Sequence, residues 1–107
     1  MSADTRANLI FVGTHGHVRA LDKHTGAEVW TTSLPGTAYS LVILLCEDGI
    51  VFAGANGKLF ALHPSSGEIL WRNELPGLRY GPMTLATTTA ATNPLPLIVE
   101  DQRQRSD

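Results

Sequence analysis

The sequence predicts an all-β protein made of two copies of one four-stranded antiparallel unit, and three observations carry that prediction. The chain repeats itself at an offset of 41 residues, Phe11 matching Phe52. Within each copy, apolar and polar residues alternate in short runs, the period of a strand with one buried face. Glycine punctuates the runs at matching places, as in His15-Gly16 and Asn56-Gly57, where a two-residue hairpin turn is expected.

The repeat continues without a gap: Gly13 on Gly54, Gly16 on Gly57, Ala20 on Ala61, Leu21 on Leu62, Gly26 on Gly67, Trp30 on Trp71, and "LPG" at 34–36 on "LPG" at 75–77. A period of this length marks stacked supersecondary units. In the first copy "LIFVGTHG" and "HVRALD" predict a hairpin, and the turn "KHTG" leads into the strand "AEVWTTSL". "TAYSLVILLCEDG" predicts a strand that is apolar on both faces, and "IVFAGANG", "KLFALH", "PSSG" and "EILWRNEL" repeat the first copy. "YGPMTLATTT" corresponds to "AYSLVILLCE" and predicts one more strand of that apolar kind.

Four short antiparallel strands per unit describe a blade of a β-propeller, with the most apolar strand nearest the central channel. The frame is shifted, so the first blade lacks its inner strand and the last segment is an inner strand without a blade. The organisation expected is an N-terminal extension over 1–7, two repeats over 8–90 (about 8–48 and 49–90), and a C-terminal strap and polar tail over 91–107. Two prolines in "PLPLIVE" exclude a central strand there.

Composition narrows the function. With 43% apolar and 17% charged residues in 107, the chain can bury a core. A net charge of −2, with the charges scattered singly, leaves no basic stripe for a phosphate backbone, so nucleic acid is not an expected partner. The one cysteine, Cys46, excludes an intramolecular disulfide and, in its apolar run, is expected to be buried and inert. The run Leu9–Val12 is too short for the core of a signal peptide, and Leu41–Cys46 is too short to cross a bilayer. A cytoplasmic protein without a membrane partner is expected, unless the chain is a piece of a longer exported one.

Ala20, Asp22, Thr25, Gly26 and Trp30, and again Ala61, Gly67 and Trp71 with His63 and Ser66 in two of the places, resemble the tryptophan-docking motif of the pyrroloquinoline quinone-like (PQQ-like) β-propeller repeat family. The resemblance implies blades joined through these residues: a Trp ring stacking against its neighbour at the small Ala, a Gly closing the turn, and the acid and hydroxyl bonding turn amides. For the quinoprotein dehydrogenases of that superfamily it also implies a quinone, a calcium ion and a vicinal Cys-Cys ring on the channel axis. One cysteine forbids that ring, and Asp22, Glu28, Glu47, Asp48, Glu68 and Glu74 fall in turns or on outer strands. No cofactor, no catalytic residue and no enzymatic activity are therefore expected.

His15 and His17 are weak candidates for a metal pair, since imidazole is a common ligand, but their repeat partners are Asn56 and Lys58. His24 reads as a turn residue, and His63 as filling the slot of the docking acid. Ser65 and Ser66 lack the surroundings of a nucleophile. Tyr39, Arg79 and Tyr80, near the mouth of the channel, are candidate contacts for a protein or small ligand. Because two blades leave both outer faces bare, the chain is expected to close head to tail with copies of itself. A tetramer giving eight blades is favoured, with "PMTLATTT" supplying the next subunit's missing strand. The alternative is a fragment or relative of a larger propeller of barrel-assembly lipoprotein or quinoprotein type.

Overall fold

The computed structural model of the protein describes residues 8–78, 81 and 83–89; the predicted N-terminal extension and C-terminal strap lie outside them. Strands β1 (Leu9–Thr14), β2 (His17–Asp22) and β3 (Glu28–Ser33) form one sheet. β4 (Ile43–Glu47), β5 (Ile50–Ala55), β6 (Lys58–Leu62) and β7 (Ile69–Asn73) form a second. All neighbours are antiparallel and in chain order. The first sheet thus stops at β1, where the second continues to β4.

Turn chemistry sets the hairpins. His15-Gly16, Asp48-Gly49 and Asn56-Gly57 all have positive φ at both positions, the twist-matched turn that joins adjacent strands through two residues. Each sheet also carries a register shift at the same place, Ala20/Leu21 and Ala61/Leu62. Ahead of it, Phe11, Ala20 and Trp30 lie side by side across the first sheet, as do Phe52, Ala61 and Trp71 across the second. The small alanine lets the flanking rings meet above it, with centroids 5.9 Å apart in the first sheet and 6.2 Å in the second.

The core lies between the sheets. Val18, Ala20 and Trp30 face Val51, Ala53, Ala55, Phe60 and Leu62, with Leu34 and Val42 completing the cluster. Gly13 is obligatory for the close approach of the second sheet: a Cβ there would lie 2.7 Å from Cγ1 of Val42. One repeat later, a Cβ on Gly54 would lie 2.5 Å from Sδ of Met83. Residues 83–89 therefore run over the second sheet where an inner strand was predicted, but only Ala86 makes a bridge and no strand forms. A strand needs a ladder along its length, and a single bridge is not one.

Cys46 departs from expectation, being exposed. It sits on β4 beyond the part covered by the first sheet, which has no inner strand opposite it among the described residues. Partial burial still pushes its thiol pKa up, which disfavours the reactive thiolate. Among the described residues, no helix is long and apolar enough to cross a membrane.

Candidate functional site: a joint between repeats and its open halves

Each repeat folds the same turn before its tryptophan strand. In the first, the Gly26 amide donates to the Asp22 carbonyl at 2.7 Å and the Asp22 amide to the Ala27 carbonyl at 2.8 Å. The Asp22 carboxylate accepts from the amides of His24 at 2.8 Å and Thr25 at 3.1 Å, and Thr25 Oγ1 accepts from Ala27 at 3.2 Å. In the second, His63 Nδ1 accepts from the Ser65 amide at 3.1 Å and Ser66 Oγ from the Glu68 amide at 3.2 Å. The imidazole and the serine do the local work of the acid and the threonine.

The backbone amides of His24 and then Thr25 hold the Asp22 carboxyl below its ordinary range, against a smaller opposing effect of desolvation. A folded pKa below the unfolded one means a contribution that is full above the ordinary Asp value and lost as pH falls through the folded value. Asp22→Asn is therefore expected to lower the melting temperature at about pH 6, with the gap to the native chain narrowing as pH falls below the ordinary Asp range. A gap that stays constant in melts across that range would contradict the assignment.

The turn of the second repeat receives the tryptophan of the first. Trp30 is 9% exposed, and its indole Nε1–H donates to the Pro64 carbonyl at 2.8 Å. Beside it, the Thr32 hydroxyl donates to the Gly67 carbonyl at 2.6 Å. Gly67 has φ +78°, and a Cβ there would lie 2.4 Å from Cε3 of the indole, so only glycine fits. At the other end of the joint, Asn56 Nδ2 donates to the Gly36 carbonyl at 3.3 Å, and the Lys58 side chain packs on Gly36. The ring thus meets the next repeat at its turn glycine, while Ala20 lies under it in its own sheet.

Both halves of this joint recur without a matching half among the described residues. Trp71 is 45% exposed and borders a cleft of about 180 Å³ lined by Leu45, Phe52, Leu59, Leu85 and Ala86. Pro64 and Gly67 are buried, whereas Lys23 and Gly26 in the corresponding places are exposed. A Cβ on Gly26 or on Gly77, the counterpart of Gly36, would meet nothing within 4 Å. The first sheet's outer face exposes Ile10 and Val12. It differs from the buried face of the second in two charged positions, Arg19 for Phe60 and Glu28 for Ile69. Arg19 Nε donates to Thr31 Oγ1 at 2.8 Å and lies 3.6 Å from Glu28, which accepts from Thr31 at 2.7 Å.

The two candidate metal ligands are engaged separately. His15 Nδ1 lies 3.2 Å from Thr14 Oγ1 and its ring meets Tyr39 edge-on at 5.7 Å, whereas His17 Nδ1 donates to the His15 carbonyl at 2.6 Å. Among the described residues, no three His, Cys, Asp or Glu gather as a cation site. Tyr39 is 79% exposed and His24 is exposed in its turn; Arg79 and Tyr80 lie outside the described residues. Sequence reasoning missed Pro64 and Thr32, whose roles need the second repeat set beside the first in space. It also missed Thr37, fully buried and donating to the Leu34 carbonyl at 2.7 Å.

Comparison with known proteins agrees with this architecture. Residues 14–103 match the family model described as outer membrane protein assembly factor BamB. No curated protein matches the chain. The crystal structure of BamB from Moraxella catarrhalis is similar over 62% of this chain, with 31% identity and a TM-score of 0.54. Quinohemoprotein alcohol dehydrogenase from Comamonas testosteroni is similar in fold over 69%, with 22% identity and a TM-score of 0.58. The chain spans 20% of the first protein and 13% of the second. Two sheets repeating one blade plan, and a family match over most of the sequence, make the chain a member of the PQQ-like β-propeller repeat family described by BamB.

Proposed function

We propose that the chain is a non-enzymatic β-propeller scaffold that completes itself into a closed ring of four copies and eight blades and presents the mouth of that ring to a partner. The observation that carries the reading is the joint between the repeats, whose two halves recur unmatched among the described residues as Trp71 and the Asp22–Gly26 turn. The cleft beside Trp71, about 180 Å³, falls below the roughly 300–1,000 Å³ of small-molecule sites and suits inserted side chains. Asp22 and His63 are spent on capping turn amides, a structural use of groups that could otherwise do acid–base work. Tyr39 is the exposed aromatic offered at the mouth.

Light scattering across micromolar concentrations tests the ring, with a mass near four chains expected and a monomer throughout refuting it. An absorbance spectrum of the same sample should show aromatic residues alone. A stoichiometric chromophore would overturn the non-enzymatic reading.

The 31% identity to BamB favours a second reading, in which these two repeats serve within a longer propeller that acts in outer membrane protein assembly. Further blades of the same chain would then cover both faces, and the 107 residues alone would stay monomeric.

A further inference from the structure

We infer that the occupant of the Trp71 cleft is the outer face of the first sheet of a second copy, and that Arg19 makes this joint weaker than the one inside the chain. The inference rests on the ring reading above and specifies its contact. A face that fits the cleft must meet four conditions set by the internal joint. It needs a turn glycine at positive φ to lie under the indole, which Gly26 provides at φ +78° with nothing over it. It needs an exposed carbonyl where Pro64 accepts the indole N–H, and Lys23 occupies that place. Where Val51 and Leu62 press on the first sheet it needs aliphatic side chains, and Ile10 and Leu21 stand there, paired across β1 and β2 as Val51 and Leu62 are across β5 and β6. Finally, it must bring no inner strand of its own, because Met83 and the residues after it already cover Gly54 as Val42 covers Gly13. The three-stranded first sheet meets this condition also.

Such a contact is heterologous, with different patches on the two copies, so it propagates until rotation closes it. Its weak point is the position of Phe60, which is fully buried in the internal joint. Arg19 takes that place in the outer face, and docking would strip water from its guanidinium. Thr31 and Glu28, which stands where Ile69 packs in the internal joint, travel with it on the same sheet and offset part of the desolvation cost, but a paired charge still packs less favourably than the phenyl and aliphatic side chains it replaces. The joint is accordingly reversible, and Arg19 sets the concentration at which it forms.

The test is the concentration dependence of mass for the native chain, Arg19→Phe and Trp71→Ala, with circular dichroism to confirm that each folds. Arg19→Phe should lower the concentration for half-assembly at least about tenfold, and Trp71→Ala should raise it by a similar factor, as expected for a central aromatic anchor. Weaker or unchanged assembly of Arg19→Phe would overturn the role given to Arg19. Native assembly indifferent to both substitutions would overturn this joint while leaving the ring reading intact. Monomers for the native chain and Arg19→Phe alike would remove both.

Discussion

Replacing Trp30 by alanine is expected to cost about 3–5 kcal/mol of unfolding free energy, a large share of the roughly 5–15 kcal/mol that holds a domain folded. The ring is 9% exposed, packs on Phe11, and donates its N–H to Pro64 across the joint. Truncation leaves a cavity between the sheets and a carbonyl without its donor. The repeat supplies the control. Trp71 makes the same contact with Phe52 in its own sheet but is 45% exposed and touches no following repeat among the described residues. Trp71→Ala should therefore cost under about 1 kcal/mol in the monomer. Urea denaturation of the two variants measures the contrast. Equal costs would mean that stability does not reside in the joint between the sheets.

That contrast marks how far the residues could be read without coordinates. The 41-residue offset aligned Trp30 with Trp71 and both glycine turns, because turn geometry and strand alternation are local properties that sequence records directly. What lies against each residue across the joint was not legible. The Trp30 ring meets Gly67 and Pro64, which stand 37 and 34 residues further along, and nothing local in either stretch announces the contact. Cys46 was misread for a related reason. Its apolar neighbours argue for burial, but β4 extends past the sheet that covers it, and coverage depends on a strand that the first sheet does not have among the described residues. The inner strand expected in "YGPMTLATTT" reduces to a bridge at Ala86, since propensity without a partner ladder does not make a strand.

The two turn glycines allow backbone strain and packing to be measured apart. Gly26 and Gly67 share φ +78°, so alanine at either site incurs the same left-handed penalty, about 1–2 kcal/mol. At position 26 nothing lies within 4 Å of the new methyl group, so that penalty is the whole expected cost. At position 67 the methyl would sit 2.4 Å from Cε3 and 2.6 Å from Cδ2 of Trp30 and 2.5 Å from Thr32 Oγ1. The ring has to leave, and Gly67→Ala should cost about 2–4 kcal/mol more than Gly26→Ala. In a Trp71→Phe background, Trp30 fluorescence should shift to the red in Gly67→Ala and stay unchanged in Gly26→Ala. Equal destabilisation of the pair would show that the turn conformation matters and the ring contact does not. The order should reverse for association between copies. Gly26→Ala, cheap for the isolated fold, places its methyl group where the Trp71 ring of a neighbour would lie. It should suppress assembly at least about tenfold while costing the monomer no more than the left-handed penalty of about 1–2 kcal/mol.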